Sequence, residues 1–164
     1  MELNWSQLPR PIIALSPMAD MTDSAFCRTV RSLSPFDPEP RACGSTVLTT
    51  MSLLNRRGVE GSGRLVVFRE MVSAEAVVRG NNKTLNMTDI HPSERPLVQQ
   101  LFGSDPATMA EAARMIQEQH HPEGFDVNMG CPVYKIVHNF NGAALMKEPA
   151  LATKIIKAMK AAIT

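Results

Sequence analysis

The chain alternates short apolar runs with segments of helical periodicity, and this alternation occurs four times. Apolar, partly β-branched runs of about four to eight residues are typical of buried strands, whereas apolar residues spaced three and four apart indicate amphipathic helices. Parallel strands need a crossover between them, which is usually a helix. The pattern therefore predicts four βα units on a parallel sheet, with strands at residues 11–18, 64–72, 96–103 and 125–130.

Two observations narrow this α/β class to a barrel. The glycine-rich fingerprint G-x-G-x-x-G of dinucleotide-binding folds is absent from the sequence, which disfavours a Rossmann arrangement. A complete TIM-type (β/α)8 barrel takes eight units and about 250 residues, whereas this chain has 164 residues. We therefore expect one domain, residues 1–164, that contains the first four βα units of a TIM barrel.

Helix start signals support these units. Thr22 is a suitable N-cap for a first helix over residues 23–33. Asp105 followed by Pro106 is a stronger signal for the third helix, because aspartate accepts hydrogen bonds from the first turn and proline fits the first helical position. The second helix, over residues 73–80, is weaker and is expected to end at Gly80.

Apolar stripes at helical spacing predict which helix faces are buried. In the first helix the apolar residues at this spacing are Phe26, Val30 and Leu33. In the third helix they are Met109, Ala112, Ala113 and Ile116. In the fourth helix, over residues 147–163, the side chains expected to face inward are Leu151, Ile155, Ile156, Met159 and Ile163.

Two stretches interrupt the rhythm. Residues 34–63 separate the first helix from the second strand, where connections usually take about 2–6 residues. This segment is rich in Pro, Gly, Ser and Arg, and we expect an insertion or mobile loop in which Cys43 has no special role. Residues 81–94 are polar and are expected to form a loop.

Composition limits the classes of function. A formal net charge of +1 gives no electrostatic argument for a polyanion partner. The cysteines at 27, 43 and 131 are far apart and form no C-x-x-C pair, so we expect no metal site, no disulfide framework and a reducing compartment. No signal peptide is recognisable, and no apolar run approaches the roughly 20 residues that cross a bilayer. We expect a cytoplasmic protein without a membrane segment.

The segment around Cys131 is unusual for a structural cysteine. Asp126 and Asn128 alternate with apolar residues, which places both polar side chains on one face of the fourth strand. Gly130 allows a close backbone approach, and Pro132 fixes the turn after the thiol. The sequence therefore presents Cys131 at the carboxyl end of a strand, where barrel enzymes carry out their chemistry.

Five motifs together resemble a known family. They are SPMADMTDSAFCR, FREMVSAEAV, ERPLVQQLFGSDPATMAEAA, DVNMGCPVYKIV and NGAALMKEP. In this order they resemble the N-terminal half of the catalytic barrel of the tRNA-dihydrouridine synthases. The resemblance covers residues 11–33 and 64–163, and it leaves out the atypical segment at 34–63. It implies an FMN-dependent enzyme that uses NADPH to reduce uridine in tRNA to 5,6-dihydrouridine.

The resemblance also implies roles for individual residues. Contacts to FMN are implied for Pro17, Met18 and Ala19, in the first strand-to-helix loop. Gln100 corresponds to a side chain that bonds the edge of the flavin ring. Asn128 corresponds to a residue that orients the target base, and Cys131 corresponds to the proton donor.

The implied chemistry suits a cysteine. Saturating the C5–C6 bond of uracil takes a hydride at one carbon and a proton at the other, and the flavin carries the hydride step. Thiols ordinarily titrate at about pH 8.5, so a cysteine that carries its proton at neutral pH is able to donate it. We therefore expect Cys131 to act as a general acid on one face of the base.

Two alternatives stay open at this point. Dihydroorotate and dihydropyrimidine dehydrogenases also combine FMN with a reduced pyrimidine and carry an N-x-x-C-P-like segment, although QLFGSDP and NGAALMKEP favour the tRNA enzyme. The other alternative is an inactive, truncated family member. The family's fifth strand with its flavin-contacting lysine, the rest of the barrel and the helical tRNA-binding domain have no counterpart in these 164 residues. Because half a barrel leaves two unpaired sheet edges, we also expect self-association.

Overall fold

Four strands and six helices alternate in a computed structural model, which describes residues 6, 8, 10–34 and 65–163. The strands are β1 (Ile13–Leu15), β2 (Leu65–Ser73), β3 (Leu97–Phe102) and β4 (Gly124–Val127). The helices are α1 (Ser24–Leu33), α2 (Ala74–Val78), α3 (Asn82–Asn86), α4 (Pro106–His120), α5 (Tyr134–Val137) and α6 (Pro149–Ala162). Two 3₁₀ turns cover Pro92–Glu94 and Gly142–Lys147. The expected insertion at 34–63, with Cys43, lies outside the described residues apart from Ser34.

All four strands are parallel and are arranged in the order β1-β2-β3-β4. Each strand therefore pairs with the strand next to it in sequence, as in consecutive βα units of a barrel. This confirms the α/β prediction and corresponds to four consecutive units of a TIM-type barrel. The strands at both ends of the predicted series are shorter than expected, since β1 covers only Ile13–Leu15 and β4 stops at Val127.

The hydrophobic core lies between the sheet and its helices. Its larger cluster joins the second halves of β2 and β3 to α2, α4 and α6. The largest side chains in that cluster that are almost completely buried are Leu101, Met109, Ile116, Leu145 and Ile155. A smaller cluster of Cys27, Val67 and Leu97 holds α1 against the sheet.

Helix α4 forms as the sequence predicts. The Asp105 carboxylate accepts a hydrogen bond from the Thr108 N–H at 2.7 Å, and Pro106 occupies the first helical position. The predicted stripe of Met109, Ala112, Ala113 and Ile116 is completely or almost completely buried. The helix ends at His121, which adopts a left-handed conformation with φ 48° and donates its N–H to the Gln117 carbonyl.

Helix α1 differs from the prediction in its cap. Asp23, not Thr22, is the N-cap, and its carboxylate accepts from the Phe26 N–H at 2.8 Å. Thr22 is buried and instead closes the preceding turn, since its hydroxyl donates to the Met18 carbonyl at 3.1 Å. Both residue types can cap a helix, and the conformation of the loop decides between them.

The buried face of α1 is also rotated from the apolar stripe. Leu33 is 53% exposed and Phe26 is 36% exposed, whereas Cys27 and Arg31 are buried. The Arg31 guanidinium donates to the Leu65 carbonyl at 3.0 Å, at the amino end of β2. A long side chain that bonds strand carbonyls thus replaces an apolar contact on this face.

Two further predictions need correction. Ile156 was expected to face inward with Ile155, but it is 49% exposed because the buried side of α6 follows Ala152, Ile155 and Met159. The expected polar loop at 81–94 contains α3 and a 3₁₀ turn, which begin at the side-chain caps of Asn81 and His91. Local capping by polar side chains accounts for both short elements.

The connection that contains α3 is fixed by a buried ion pair. Arg69 and Glu94 lie 3.2 Å apart with side chains that are 4% and 0% exposed. The same guanidinium donates to the carbonyls of Met87 and Asp89, at 2.8 and 2.9 Å. These contacts satisfy most of the hydrogen-bond donors of the buried Arg69 guanidinium, as a buried ion pair requires.

In the part of the chain that the structure describes, no helix is both long and apolar enough to cross a membrane. The same residues contain no group of three or more His, Cys, Asp or Glu side chains placed to hold a metal ion.

The cap of α4 gives a prediction for stability and its pH dependence. Hydrogen bonds from the Thr108 hydroxyl and N–H hold the pKa of Asp105 below its usual value. A lowered folded-state pKa means that the stabilisation is complete above the unfolded value of about 3.9 and is lost as pH falls through the folded value. Asp105→Ala should therefore cost about 1 kcal/mol at neutral pH, and the difference from wild type should shrink in acid.

Urea unfolding at neutral pH and at about pH 3 measures both effects. Asp105→Asn is the matched control, because an asparagine caps helices well but does not titrate. It should retain most of the neutral-pH stability. A wild-type advantage over Asp105→Ala that persists unchanged in acid would contradict the assignment.

Candidate functional site

Polar side chains from β3 and β4 meet on one face of the sheet. The strands pair Gln100 with Asp126, and the Gln100 Nε2 donates to the Asp126 carboxylate at 2.5 Å. The Asn128 Nδ2 donates to the Gln100 Oε1 at 2.9 Å. Phe125, Val127 and Met129 pack against the larger core cluster. The predicted alternation along β4 is therefore confirmed.

Asn128 also holds the loop that carries Cys131. Its Oδ1 accepts from the backbone N–H of Cys131 at 3.0 Å and from that of Gly130 at 3.3 Å. Its Nδ2 additionally approaches the Met71 Sδ at 3.2 Å. The Asn128 carboxamide thus takes over from the backbone hydrogen bonds of the sheet where β4 ends, and it fixes the orientation of the Cys131 backbone.

A second contact holds Cys131 from the other side. The Cys131 carbonyl accepts from the Ala143 N–H at 3.0 Å. Gly142, at φ 56°, precedes this contact, and a Cβ at Gly142 would lie 2.6 Å from the Cys131 carbonyl oxygen. The half-buried Cys131 is therefore fixed at both its N–H and its carbonyl, at the carboxyl end of β4.

Cys27 has the opposite environment. It is fully buried in the smaller core cluster, and its Sγ lies 3.5 Å from the Thr22 carbonyl oxygen. Burial is the main cause that raises its pKa to about 11, against an ordinary value of 9.0. This thiol is a packing residue, as predicted, so Cys131 is the better candidate for chemistry among the two described cysteines.

The first strand-to-helix loop is preorganised by its own hydrogen bonds and by a contact to β2. The Met18 N–H donates to the Thr22 hydroxyl at 2.9 Å, and the Met18 carbonyl accepts from the Thr22 N–H at 2.9 Å. Asp20, at φ 60°, donates its N–H to the Glu70 carboxylate at 2.7 Å. Of the implied flavin contacts in this loop, Met18 and Ala19 are exposed and Pro17 is half-buried.

The predicted site residues fall into two groups. Gln100, Asn128 and Cys131 are joined by hydrogen bonds. The Pro17–Ala19 loop connects to β3 through Glu70, whose carbonyl accepts from the Gln99 Nε2 at 3.0 Å. The connection is indirect within the described residues.

Two contributing residues received no site assignment from sequence. Glu70 anchors the first loop, and Asp126 holds the amide of Gln100. The positions of Glu70 and Asp126 in their strands could have indicated that they contribute to the site. Each carboxylate belongs to the second half of a strand, and Asp126 lies two residues before Asn128 on the same face.

The contact between Gly142 and Cys131 gives a prediction. Gly142→Ala should lower the free energy of unfolding by about 1–3 kcal/mol, because alanine meets both a left-handed backbone and a backbone oxygen. It should also move the Cys131 loop, which is detectable as a changed alkylation rate of that thiol. Gly80→Ala is the matched control, since Gly80 also has positive φ but open space around it. Equal effects of both substitutions on the alkylation of Cys131 would contradict the proposed clamp.

Comparisons with known proteins point to one family. The family model described as dihydrouridine synthase matches residues 13–164. A probable tRNA-dihydrouridine synthase of Treponema pallidum is 40% identical over 96 residues, which are 58% of this chain and 28% of that protein. A tRNA-dihydrouridine(20/20a) synthase of Xanthomonas axonopodis pv. citri is 44% identical over 96 residues, with the same coverage.

The similarity also extends over most of the chain in single relatives. The probable tRNA-dihydrouridine synthase 1 of Synechocystis sp. is 32% identical over 149 residues, or 90% of this chain and 33% of that protein. The chain thus spans about a third of the length of these relatives. With a family model that matches everything from β1 onward, the chain belongs to the dihydrouridine synthase family.

Proposed function

We propose that the protein carrying this chain reduces uridine in tRNA to 5,6-dihydrouridine, with Cys131 as the proton donor. The observation that carries the proposal is the double fixation of Cys131, through Asn128 and Ala143, at the carboxyl end of a barrel strand. Functional residues of barrel enzymes lie at this end. The relatives named as tRNA-dihydrouridine synthases support the same reaction.

FMN is the proposed cofactor, and the donor set suits it. The buried Gln100 amide uses one N–H toward Asp126 and one lone pair toward Asn128. A planar carboxamide has a second N–H and a second lone pair, which match the alternating donors and acceptors at the edge of a flavin ring. Pro17, Met18 and Ala19 would contact the flavin from the first loop, and Met18 would do so through its side chain, because its backbone N–H and carbonyl are bonded to Thr22.

The chain's own contribution is positioning and a proton. When bound, the flavin supplies the hydride to one carbon of the uracil C5–C6 bond, with NADPH as the source of electrons. The Cys131 Sγ–H gives its proton to the other carbon, and the resulting thiolate regains a proton from solvent. Asn128 keeps the backbone of Cys131 in place during this transfer.

The surface next to Cys131 suits a nucleic acid. Tyr134 and Phe140 are 73% and 60% exposed, and the Tyr134 ring lies 5.4 Å from that of His138. Lys135 and Lys147 are exposed in the same connection between β4 and α6. Exposed rings stack on unpaired bases and lysines neutralise phosphates, so this surface supports a tRNA substrate. We accordingly propose a cytoplasmic location, where that substrate is found.

Replacing the thiol tests the mechanism. Cys131→Ala should lower the rate of dihydrouridine formation in tRNA by about 10²–10⁴, the usual contribution of a general acid. Flavin binding, measured by absorbance, should be unchanged. Cys27→Ala is the matched control, and it should affect stability more than rate because Cys27 is fully buried.

Three outcomes would contradict the proposal. The first is dihydrouridine formation at the wild-type rate in Cys131→Ala. The second is a wild-type protein that turns over free dihydroorotate but leaves tRNA unmodified, which would favour a dehydrogenase. The third is a protein that neither binds flavin nor modifies tRNA, which would favour an inactive family member.

We also propose self-association through the sheet edges. Within the described residues β1 pairs only with β2, and β4 pairs only with β3. Unpaired edges recruit further strands, and charged side chains on an edge strand prevent this. The 164-residue chain should therefore sediment as a dimer or larger species, and Ala14→Lys, at an exposed position of β1, should shift it toward monomer. Ala150→Lys on α6 is the control, and a monomeric wild type would contradict the proposal.

A further inference from the structure

A continuous chain of hydrogen bonds runs from Asp126 to the backbone of Cys131. It passes from the Asp126 carboxylate to the Gln100 amide at 2.5 Å, and from Gln100 to the Asn128 amide at 2.9 Å. It ends where Asn128 accepts from the Cys131 N–H at 3.0 Å. We infer that Asp126 is a positioning residue, which fixes the orientation of Gln100 and, through Asn128, the placement of Cys131.

The direction of each bond follows from its neighbours. An ionised carboxylate offers only acceptors, so the Gln100 Nε2 must face Asp126 and its Oε1 must face Asn128. The Asn128 Nδ2 then faces Gln100 and the thioether of Met71, which cannot donate. Its Oδ1 is left for the N–H groups of Gly130 and Cys131. All members of the chain therefore agree on a single arrangement.

The hydrogen-bond chain is held at one end by the backbone N–H groups of the Cys131 loop, which bind Asn128. Asp126 holds its other end, at Gln100. Gln100 is only 6% exposed, so water offers its amide little alternative. Without an acceptor at 126, the Nε2 loses its partner and the amide is free to turn, which would place two N–H donors against each other at Asn128. Gln100 is also the proposed flavin contact. The chain would thus make cofactor binding and thiol placement depend on the same amide, and this meaning for catalysis rests on the function proposed above.

Alkylation of Cys131 by iodoacetamide tests this hydrogen-bond chain in the absence of any cofactor. In the flavin-free protein, Asp126→Ala should raise the alkylation rate of Cys131, followed by mass spectrometry of its peptide, by about fivefold, which matches the net contribution of one ordinary hydrogen bond. Asp105→Ala is the matched control. It also removes a carboxylate that accepts a short hydrogen bond, but in the cap of α4, so it should leave the rate unchanged.

A second substitution provides a rescue. In Asp126→Ala, adding Gln100→Glu should return the rate toward wild type, because both oxygens of a glutamate accept from Asn128 in either orientation. Gln100→Glu alone should raise the alkylation rate of Cys131. It places a second carboxylate at hydrogen-bond distance from Asp126, and the repulsion between them disturbs the hydrogen-bond chain. The same substitution would therefore have opposite effects in the two backgrounds.

Charge alone predicts a different pattern. Removing a carboxylate near a thiol favours the thiolate, and adding one disfavours it, so a purely electrostatic effect would make Gln100→Glu slower to alkylate. Gln100→Leu changes no charge and removes both hydrogen bonds of the Gln100 amide. It should therefore raise the alkylation rate of Cys131 only if the hydrogen-bond chain positions the thiol. It also serves as the test if Asp126→Ala does not fold.

The experiment distinguishes failure of the positioning role from failure of the cofactor proposal. An unchanged or slower alkylation rate in either Asp126→Ala or Gln100→Leu, or an equal rise in Asp105→Ala, would overturn the inference. Flavin binding, followed by quenching of FMN fluorescence, is measured on the same variants. If wild type fails to bind FMN while the alkylation pattern holds, the cofactor proposal fails and the positioning role of Asp126 stands.

Discussion

The pairing of β3 with β4 is the constraint on which the site depends. Its register places Gln100 opposite Asp126, and the alternation along β4 then puts Asn128 on the same face. Phe125 and Val127 fix this register because they pack into the core on the other face. A slip of one residue would exchange the two faces, so it would expose the apolar side chains and bury the polar ones. The core thus selects the arrangement of the site.

Beyond Val127 the sheet no longer determines the backbone, and individual hydrogen bonds take over. The Asn128 carboxamide binds the N–H groups that follow it, and Ala143 returns to bind the Cys131 carbonyl. The second contact requires a close approach, which Gly142 permits because it lacks a Cβ. A loop held by a few polar bonds can be precise without being buried, provided that each bond has one available orientation. The orientations of the Gln100 and Asn128 amides therefore matter here, and the low exposure of Gln100 leaves its amide few alternative partners.

Periodicity predicted some of the faces that pack into the core, but it misplaced Ile156 on α6, and it contains no information about single polar bonds. The buried stripe of α4 and the two faces of β4 could be predicted because burial follows directly from spacing. The cap of α1 could not, since both Thr22 and Asp23 are residue types that cap helices. The hydroxyl of Thr22 is used in the preceding turn, where it binds Met18, and Asp23 is left as the cap. Arg31 is a similar case, because its bonds to strand carbonyls depend on tertiary contacts that no local pattern contains. In the site, the strand alternation indicated that Asp126 and Asn128 share a face, but their bonds to Gln100 required the strand register.

The two described cysteines show how position in the fold determines chemistry. Cys27 lies on a helix face pressed against the sheet, where burial raises its pKa to about 11 and leaves it inert. Cys131 lies past the carboxyl end of β4, half-exposed and held by its backbone. Near the amino ends of the strands Arg31 binds the Leu65 and Pro96 carbonyls, whereas the carboxyl ends bring together Gln100, Asn128 and Cys131, of which the Gln100 amide has unused hydrogen-bonding capacity. Barrel folds generally divide stability and function between their two ends in this way. Within the described residues, the polar chain from Asp126 to Cys131 is built from β3, β4 and the loop after β4, and Met71 of β2 contacts it at Asn128.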